Sequence, residues 1–217
     1  MTDNDLQYVK ILIDRGVIQD RVLELGGRYG GATCEKAITN SGRAYFATDL
    51  SPAPGVNFVA DFETGAGIDE LLATGPFGSV LVLNVLEHTF NPIAILDNTV
   101  RATRPGGTII VVTPVVWPIH NYPVDCCGLL PDWYRRYARS RSLLLNEESF
   151  SYLTIGGQPL VSKFRSHDGQ DNFPRPAFGR ESYRFYSRLI HKVFHTFGHG
   201  MFFHSHIAIG AVLAQPN

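Results

Sequence analysis

This sequence of 217 residues contains few cysteines, its apolar runs are short, and its positive and negative charges nearly balance. The three cysteines are an odd number and lack the spacing of metal ligands, so we expect no structural zinc site. A formal net charge of −1 gives no electrostatic reason to expect nucleic acid or an anionic membrane as a partner. The longest apolar run, Thr108 to Ile119, is interrupted by proline and is too short to cross a bilayer. The acidic start MTDNDLQYVK lacks the basic and apolar regions of a secretory signal, which favours a cytoplasmic protein.

Apolar side chains, by contrast, make up 44% of the residues, enough for one domain, residues 1–217, with one well-buried core. The pattern predicts strands at Arg21–Leu25, Ala44–Thr48, Asn57–Ala60, Ser79–Leu83, Thr108–Thr113 and His206–Ala214. It predicts helices at Asp3–Asp14, Gly31–Asn40, Ile68–Ala73, Asn91–Ala102, Asp132–Arg141 and Gly179–Phe197, with an irregular insertion at about 146–178. Apolar strands separated by helices indicate an α/β fold with a mostly parallel sheet covered on both faces. In such sheets, ligands collect at the carboxyl ends of the strands.

Glycines are concentrated directly after the first predicted strand, in the segment ELGGRYGG. Gly26, Gly27, Gly30 and Gly31 permit positive φ and a close approach to the main chain, while the N–H groups of a helix start favour negative ligand groups. A nucleotide-like cofactor fits such a loop. The alternative is a plain turn that joins strand to helix.

Two aspartates follow the next two predicted strands. Asp49 ends the second strand, where a carboxylate can accept both hydroxyl protons of a ribose; its alternative role is a turn or cap aspartate. Asp61 ends the third strand, where it can accept a hydrogen bond from an adenine amine; its alternative role is a helix cap. Both positions predict contacts with an adenosyl group.

Together these features resemble the class I S-adenosylmethionine-dependent methyltransferases. The family's first motif, an acid followed by Gly-x-Gly-x-Gly, maps onto Glu24, Gly26, Arg28 and Gly30. The segments LNVLEHTFNP (83–92) and TRPGGTIIVVTP (103–114) resemble the family's fourth and fifth strands. HNYPVD (120–125) resembles a segment of methyltransferases associated with glycan biosynthesis.

The resemblance spans about Arg21 to Asp125 and implies a Rossmann-like three-layer sandwich with an antiparallel last strand. It implies S-adenosylmethionine as cofactor, held by Glu24, Gly26, Gly27, Arg28, Gly30, Asp49, Leu50, Asp61, Phe62 and Asn84. Arg28 replaces the family's middle glycine, so the loop is expected to follow a different path. Its side chain either points to solvent or reaches the carboxylate of the cofactor's methionine part.

The chemistry that this resemblance implies is an in-line attack of an acceptor oxygen or nitrogen on the sulfonium methyl group, with a base for a hydroxyl acceptor. His120 is the first candidate base, because it follows the fifth strand in a loop expected to overhang the methyl group. His88 is the second. Asp125 is expected to orient a histidine or bind a substrate hydroxyl, and Asn84 to contact the methionine part or the acceptor. For both histidines the alternative is a local structural role.

The acceptor is expected to be a small molecule, with a sugar or an anionic metabolite as examples. Four arginines in Asp132–Arg141 form either a solvated face or an anion site, and the aromatic residues Trp133, Tyr134 and Tyr137 either stack on a sugar or pack on the sheet. Histidines at 191, 195, 199, 204 and 206 are not expected to bind a metal. Two other functions stay open: a non-catalytic relative that binds a partner, and an NAD(P)-dependent oxidoreductase, although the sequence has no Tyr-x-x-x-Lys pair.

Overall fold

The computed structural model describes residues 3–27, 34–116, 124–149, 151–154 and 207–217. The helices are α1 (Asp3–Asp14), α2 (Glu35–Asn40), α3 (Ile68–Ala73), α4 (Pro92–Ala102) and α5 (Pro131–Ser140). The strands are β1 (Val22–Leu25), β2 (Tyr45–Asp49), β3 (Phe58–Val59), β4 (Phe77–Leu83), β5 (Thr103–Val116), β6 (Leu144–Leu145), β7 (Ser151–Thr154) and β8 (Ile207–Ala214). Short 3-10 turns occupy Leu86–His88 and Glu147–Ser149.

All eight strands of the described residues belong to one mixed sheet. Its order is β3-β2-β1-β4-β5-β8-β6, with β7 also paired to β8. β1 to β5 are parallel, while β8 runs antiparallel to β5 and pairs with it from Thr108–Ala214 to Val116–Ile207. The predicted α/β fold with an antiparallel last strand is confirmed.

Helices cover both faces of the sheet, because successive side chains of a strand point to opposite faces. In β4, Val80 and Val82 join a core cluster with residues of α3, α4 and α5, whereas Leu81 and Leu83 join a second cluster with residues of α1 and α2. Every residue of β4 is buried, which explains its continuous apolar run. The three layers that the resemblance implied are therefore present.

The structure differs from the sequence prediction within β5 and in the strands that lie beyond it in the sheet. The predicted turn at 105–107 lies within β5, where four residues bulge out between the pairs Phe77–Thr103 and Ser79–Thr108. Part of the region predicted to be irregular is strand β7, which pairs with β8. The predicted helix Gly179–Phe197 and most of the insertion lie outside the described residues. None of the helices in the described ranges is long and apolar enough to cross a membrane.

Candidate active site at the carboxyl edge of the sheet

Five parallel strands end at the same edge, and the predicted site residues follow them in order. Along the edge lie Asp61 after β3, Asp49 at the end of β2, Gly26 after β1, Asn84 after β4 and Pro114 near the end of β5. Neighbouring strands in a sheet lie about 4.8 Å apart, so these positions form one continuous row. The structure thus brings together residues that are far apart in the sequence.

The loop after β1 begins with two positions that need glycine, for different reasons. Gly26 is exposed and has a φ of +64°, a left-handed conformation that strains other residues. A Cβ at the buried Gly27 would lie 3.0 Å from Tyr45 Oη and 3.3 Å from Glu24 Cγ. Gly26 therefore exposes bare main chain at the carboxyl edge. Arg28 and Gly30 lie outside the described residues.

Glu24 fastens the two ends of this loop. Its buried Oε2 accepts a hydrogen bond from the main-chain N–H of Cys34, at 3.0 Å, and another from Tyr45 Oη, at 2.7 Å. Cys34 directly precedes α2, so the bond ties the far end of the loop back to β1. The carboxylate of Glu24 is thus directed at protein groups.

Asp49 and Leu50 form the next part of the edge. Asp49 is half-buried, and its Oδ1 accepts a hydrogen bond from the main-chain N–H of Leu50 at 2.8 Å. Leu50 is 61% exposed, which leaves an apolar residue at the surface beside a row of polar groups. A carboxylate beside an exposed apolar surface can bind a ribose and a flat base together.

Asp61 and Phe62 make more contacts within the protein than the sequence predicts. The Asp61 carboxylate accepts hydrogen bonds from Glu63 N, Thr64 N and Thr64 Oγ1 in its own turn. Burial alone would raise the pKa of Asp61, but the hydrogen bonds from Thr64 and Glu63 outweigh it and hold the pKa below its usual value. The Phe62 ring is buried in the core and its carbonyl accepts from Asn98 Nδ2, so any ligand contact of Phe62 falls to its main-chain N–H.

Asn84 is held in a strained conformation at the end of β4. Its φ is +52°, its N–H donates to Val112 O, and its Nδ2 donates to Asp5 Oδ2 of α1 at 2.9 Å. Asp5 is itself buried. The sequence identified Asn84 but gave no sign of the Asp5 contact, because α1 and β4 are distant in the chain.

The candidate bases have different surroundings. The Nδ1 of His88 lies 2.6 Å from the carbonyl oxygen of Val124, and its Nε2 lies 3.7 Å from Glu87 Oε1. Asp125 is exposed and lines a cavity near His88. His120 lies outside the described residues.

Glu87 is the functional candidate that the sequence prediction missed. It lines the same cavity as Asp125, together with Pro114, Val115, Cys126, Cys127 and Gly128. Its side chain is 1% exposed, and burial raises its pKa to about 8, with a further contribution from the charge of Asp125. In the sequence, Glu87 is the single acid of the segment NVLEHTF (84–90). The sequence prediction selected the neighbouring His88 as a candidate base and did not include Glu87.

The aromatic residues of α5 pack within the protein, and Arg135 of α5 and Arg141, which directly follows the helix, form ion pairs. The buried hydroxyl of Tyr134 hydrogen-bonds Thr113 Oγ1 at 2.7 Å, and Trp133 stacks on Tyr137 with ring centroids 5.6 Å apart. Arg135 pairs with Asp132 and Glu147, and Arg141 pairs with Asp97. The prediction that the aromatic residues pack on the sheet is confirmed for Tyr134.

Among the described residues, no group of three or more potential metal ligands is close enough to hold a metal ion.

Comparisons with known proteins bear first on the fold. A SAM-dependent methyltransferase from Archaeoglobus fulgidus aligns with a TM-score of 0.54 and 12% identity, covering 98% of this chain and 95% of that one. The 1,6-didemethyltoxoflavin-N1-methyltransferase of Burkholderia thailandensis, solved with its acceptor and S-adenosylhomocysteine, aligns with a TM-score of 0.52 and 9% identity, covering 98% and 78%. These likenesses establish the methyltransferase fold of the chain.

Sequence comparison reaches less of the chain. No family model matches it. A ubiquinone biosynthesis O-methyltransferase of Xylella fastidiosa (strain 9a5c) is 32% identical over 103 residues, which cover 43% of this chain and 41% of the relative. The chain thus matches less than half the length of that curated relative.

Proposed function

We propose that this chain is an S-adenosylmethionine-dependent methyltransferase that acts on a hydroxyl or amine of a small molecule. The observation that carries the proposal is the row at the carboxyl edge: an exposed Gly26 main chain after β1, beside the half-buried carboxylate of Asp49 and the exposed Leu50 after β2. The methyltransferase fold and the name of the partial relative from Xylella fastidiosa support it.

The residues at the edge fit the parts of this cofactor. Asp49 would accept the ribose hydroxyls, Leu50 would cover one face of the adenine, and the main-chain N–H of Phe62 would face the adenine edge. Asp61 would act mainly by holding the turn that presents Phe62, because its carboxylate is bound within that turn. These contacts would place the adenosyl group over β2 and β3.

The methionine part would then lie over β1 and β4. Gly26 would face it with bare main chain, Glu24 would hold the loop closed through Cys34, and Asn84 would be oriented by Asp5. Gly27, Arg28 and Gly30 are proposed to complete this loop. The cofactor would supply an activated methyl group on a positively charged sulfonium.

The acceptor would enter beside β5, in the cavity between Pro114 and Gly128. His88, His120 and Asp125 are the sequence-derived candidates for positioning the acceptor or taking up its proton. A sugar is one acceptor of the proposed class. Ion pairs already engage Arg135 and Arg141, two of the four arginines of residues 132–141, so these two charges give little support to an anionic acceptor.

Calorimetric titration tests the proposal with three ligands. We expect the wild-type chain to bind S-adenosylmethionine and S-adenosylhomocysteine, and NAD at least tenfold more weakly. Asp49→Ala should weaken S-adenosylhomocysteine binding by tenfold or more, since hydrogen bonds to a charged group contribute about 1.5–3 kcal/mol. Asp69→Ala, an exposed aspartate on α3, is the control and should bind normally. Unchanged affinity in Asp49→Ala would refute the ribose assignment, and preferential NAD binding would favour an oxidoreductase.

A further inference from the structure

Glu87 is buried, whereas Asp125, the other acid that lines the cavity among the described residues, is exposed. Glu87 lies in the 3-10 turn directly after β4, and its main-chain carbonyl accepts hydrogen bonds from Cys126 N at 2.7 Å and Cys127 N at 3.4 Å. These bonds draw the segment after residue 124 against the end of β4 and form one wall of the cavity that Glu87 lines.

This cavity adjoins the proposed cofactor position. A Cβ placed on Gly26 would lie 3.4 Å from Val85 Cγ2, so the loop after β1 contacts the segment that leads from β4 to Glu87. The opposite wall is Pro114 and Val115 of β5. Along the sheet edge, the cavity is therefore the next position after the one proposed for the methionine part.

Among the described residues, the only hydrogen-bond donor that acts on the Glu87 carboxyl is its own main-chain N–H, which lowers the pKa by less than burial raises it. Both of its oxygens are buried, and the nearest ring nitrogen, His88 Nε2 at 3.7 Å, is beyond hydrogen-bond distance. A buried acid that accepts no hydrogen bond from another residue is costly in free energy, and such groups are concentrated at functional sites. The cost is explained if the side chain has a partner only when a ligand is bound.

The charged and titratable groups around Glu87 come from several elements. They are His88 on its own turn, Asp5 of α1, Tyr134 of α5, and Asp125 and Cys127 of the segment after residue 124. Burial, with a smaller contribution from the charges of Asp125 and Asp5, raises the pKa of Glu87 to about 8, so the carboxyl is largely protonated at neutral pH until a positive charge arrives. The cofactor's sulfonium is such a charge, and it would favour the ionised form.

We propose that Glu87 is a catalytic residue that accepts the proton of a hydroxyl acceptor bound in this cavity, which rests on the proposed methyltransferase function. The acceptor O–H bond breaks and its proton passes to a carboxylate oxygen of Glu87. At the same time the O–CH₃ bond forms and the S–CH₃ bond breaks, with its electron pair left on sulfur. The negative charge of Glu87 and the positive charge of the sulfonium disappear together.

This assignment narrows the acceptor class to hydroxyl compounds. A neutral amine can attack through its lone pair without losing a proton first, whereas a hydroxyl needs a base as its oxygen becomes bonded to the methyl group. His88 is less suited to this step, since the residues that line the cavity in the described part of the chain include Glu87 but not His88.

Proton release on cofactor binding tests the role of Glu87 without an acceptor. Calorimetry at pH 7.5 in two buffers of different ionisation enthalpy counts the protons released when S-adenosylmethionine or S-adenosylhomocysteine binds to the full chain. The sulfur of S-adenosylmethionine carries a positive charge, and the sulfur of S-adenosylhomocysteine is neutral. We expect S-adenosylmethionine to release several tenths of a proton more than S-adenosylhomocysteine. Glu87→Gln should abolish that difference, and Glu70→Gln, an exposed glutamate on α3, should preserve it.

The outcomes separate the two proposals. If the wild-type chain releases equal numbers of protons with both ligands, or if Glu87→Gln keeps the difference, Glu87 is not the proton acceptor although the cofactor binds. If neither ligand binds to the wild-type chain, the methyltransferase function fails and the role of Glu87 fails with it.

A measurement on the wild-type chain covers the case in which Glu87→Gln does not fold. With ¹³C-labelled glutamate carboxyls, one resonance should titrate near pH 8 in the free chain and at lower pH with S-adenosylmethionine, but not with S-adenosylhomocysteine. A set of glutamate resonances that all titrate below pH 6 would overturn the assignment.

Discussion

Glu87 makes the stability of the chain depend on pH in an unusual direction. Its pKa is raised from 4.5 to about 8 by burial, so the native state holds a proton that the unfolded state loses. Its contribution to the free energy of unfolding is therefore fully present below pH 4.5 and is lost as the pH rises to about 8. The buried carboxyl of Glu87 therefore lowers the free energy of unfolding most in alkaline solution.

Glu87→Gln should remove this dependence. Relative to wild type, we expect the free energy of unfolding of the variant to increase between pH 5 and pH 9, by up to about 4 kcal/mol. Urea unfolding across this range measures the difference, with Glu70→Gln as the exposed control that should follow the wild-type curve. Parallel curves for wild type and Glu87→Gln would show that the carboxyl is not held in its protonated form.

Gly26 and Gly16 provide a matched pair for the role of the loop after β1. Both have a positive φ, of +64° and +70°, and a Cβ on either would meet no closer contact than 3.4 Å. Alanine at either position should lower the free energy of unfolding by about 1 kcal/mol through backbone strain. Only Gly26→Ala should also weaken S-adenosylhomocysteine binding, by about tenfold, as measured by calorimetry. Equal affinities in both variants would remove Gly26 from the site.

The sequence predicted most of these residues from their places after apolar strands, and it failed where a role depends on distant contacts. Gly26, Asp49 and Asn84 were predicted because a glycine, an acid or an amide at a strand end is a local feature. Glu87 was missed because its burial depends on β5 and the segment after residue 124. Asp5 was missed for the same reason, since only the fold places it beside Asn84.

At the scale of elements, α5 is fastened to β5 by one buried hydrogen bond, between Tyr134 Oη and Thr113 Oγ1. Tyr134→Phe should lower the free energy of unfolding by about 1–2 kcal/mol, because the Thr113 hydroxyl is left buried without its partner. The double variant Tyr134→Phe/Thr113→Val should lose less than the sum of the two single variants, which urea unfolding can measure. Strictly additive losses would contradict a direct contribution from this bond.

Elements with their own periodicity were predicted well, and elements defined by a partner were not. Helix α1 begins and ends at the predicted residues, Asp3 and Asp14. β6 and β7 contain two and four residues, too few for a pattern, and they are strands only because the outer edge of β8 pairs with both. The fold class could therefore be predicted from the sequence, whereas the edge of the sheet formed by β6 and β7 could not.

At the scale of the whole molecule, a ligand that binds across several strands should stabilise the native state. At 100 times its dissociation constant, S-adenosylhomocysteine should raise the free energy of unfolding by about 2.7 kcal/mol, or Tm by about 5–10 °C. NAD at the same concentration should raise Tm by at most about half as much, because it is expected to bind at least tenfold more weakly. Thermal melting of the wild-type chain with each ligand measures both shifts, and Asp49→Ala should show a smaller shift with S-adenosylhomocysteine. A shift of equal size with NAD would contradict selective binding of an adenosyl thioether.

A crystal structure of the chain with S-adenosylhomocysteine is the most direct test of the proposed site. We predict that the ligand lies along the carboxyl edge, with its ribose hydroxyls on Asp49 over β2 and its sulfur between Gly26 and the cavity that Glu87 lines. A ligand bound elsewhere, or a loop side chain filling the space above β1 and β4, would contradict the account.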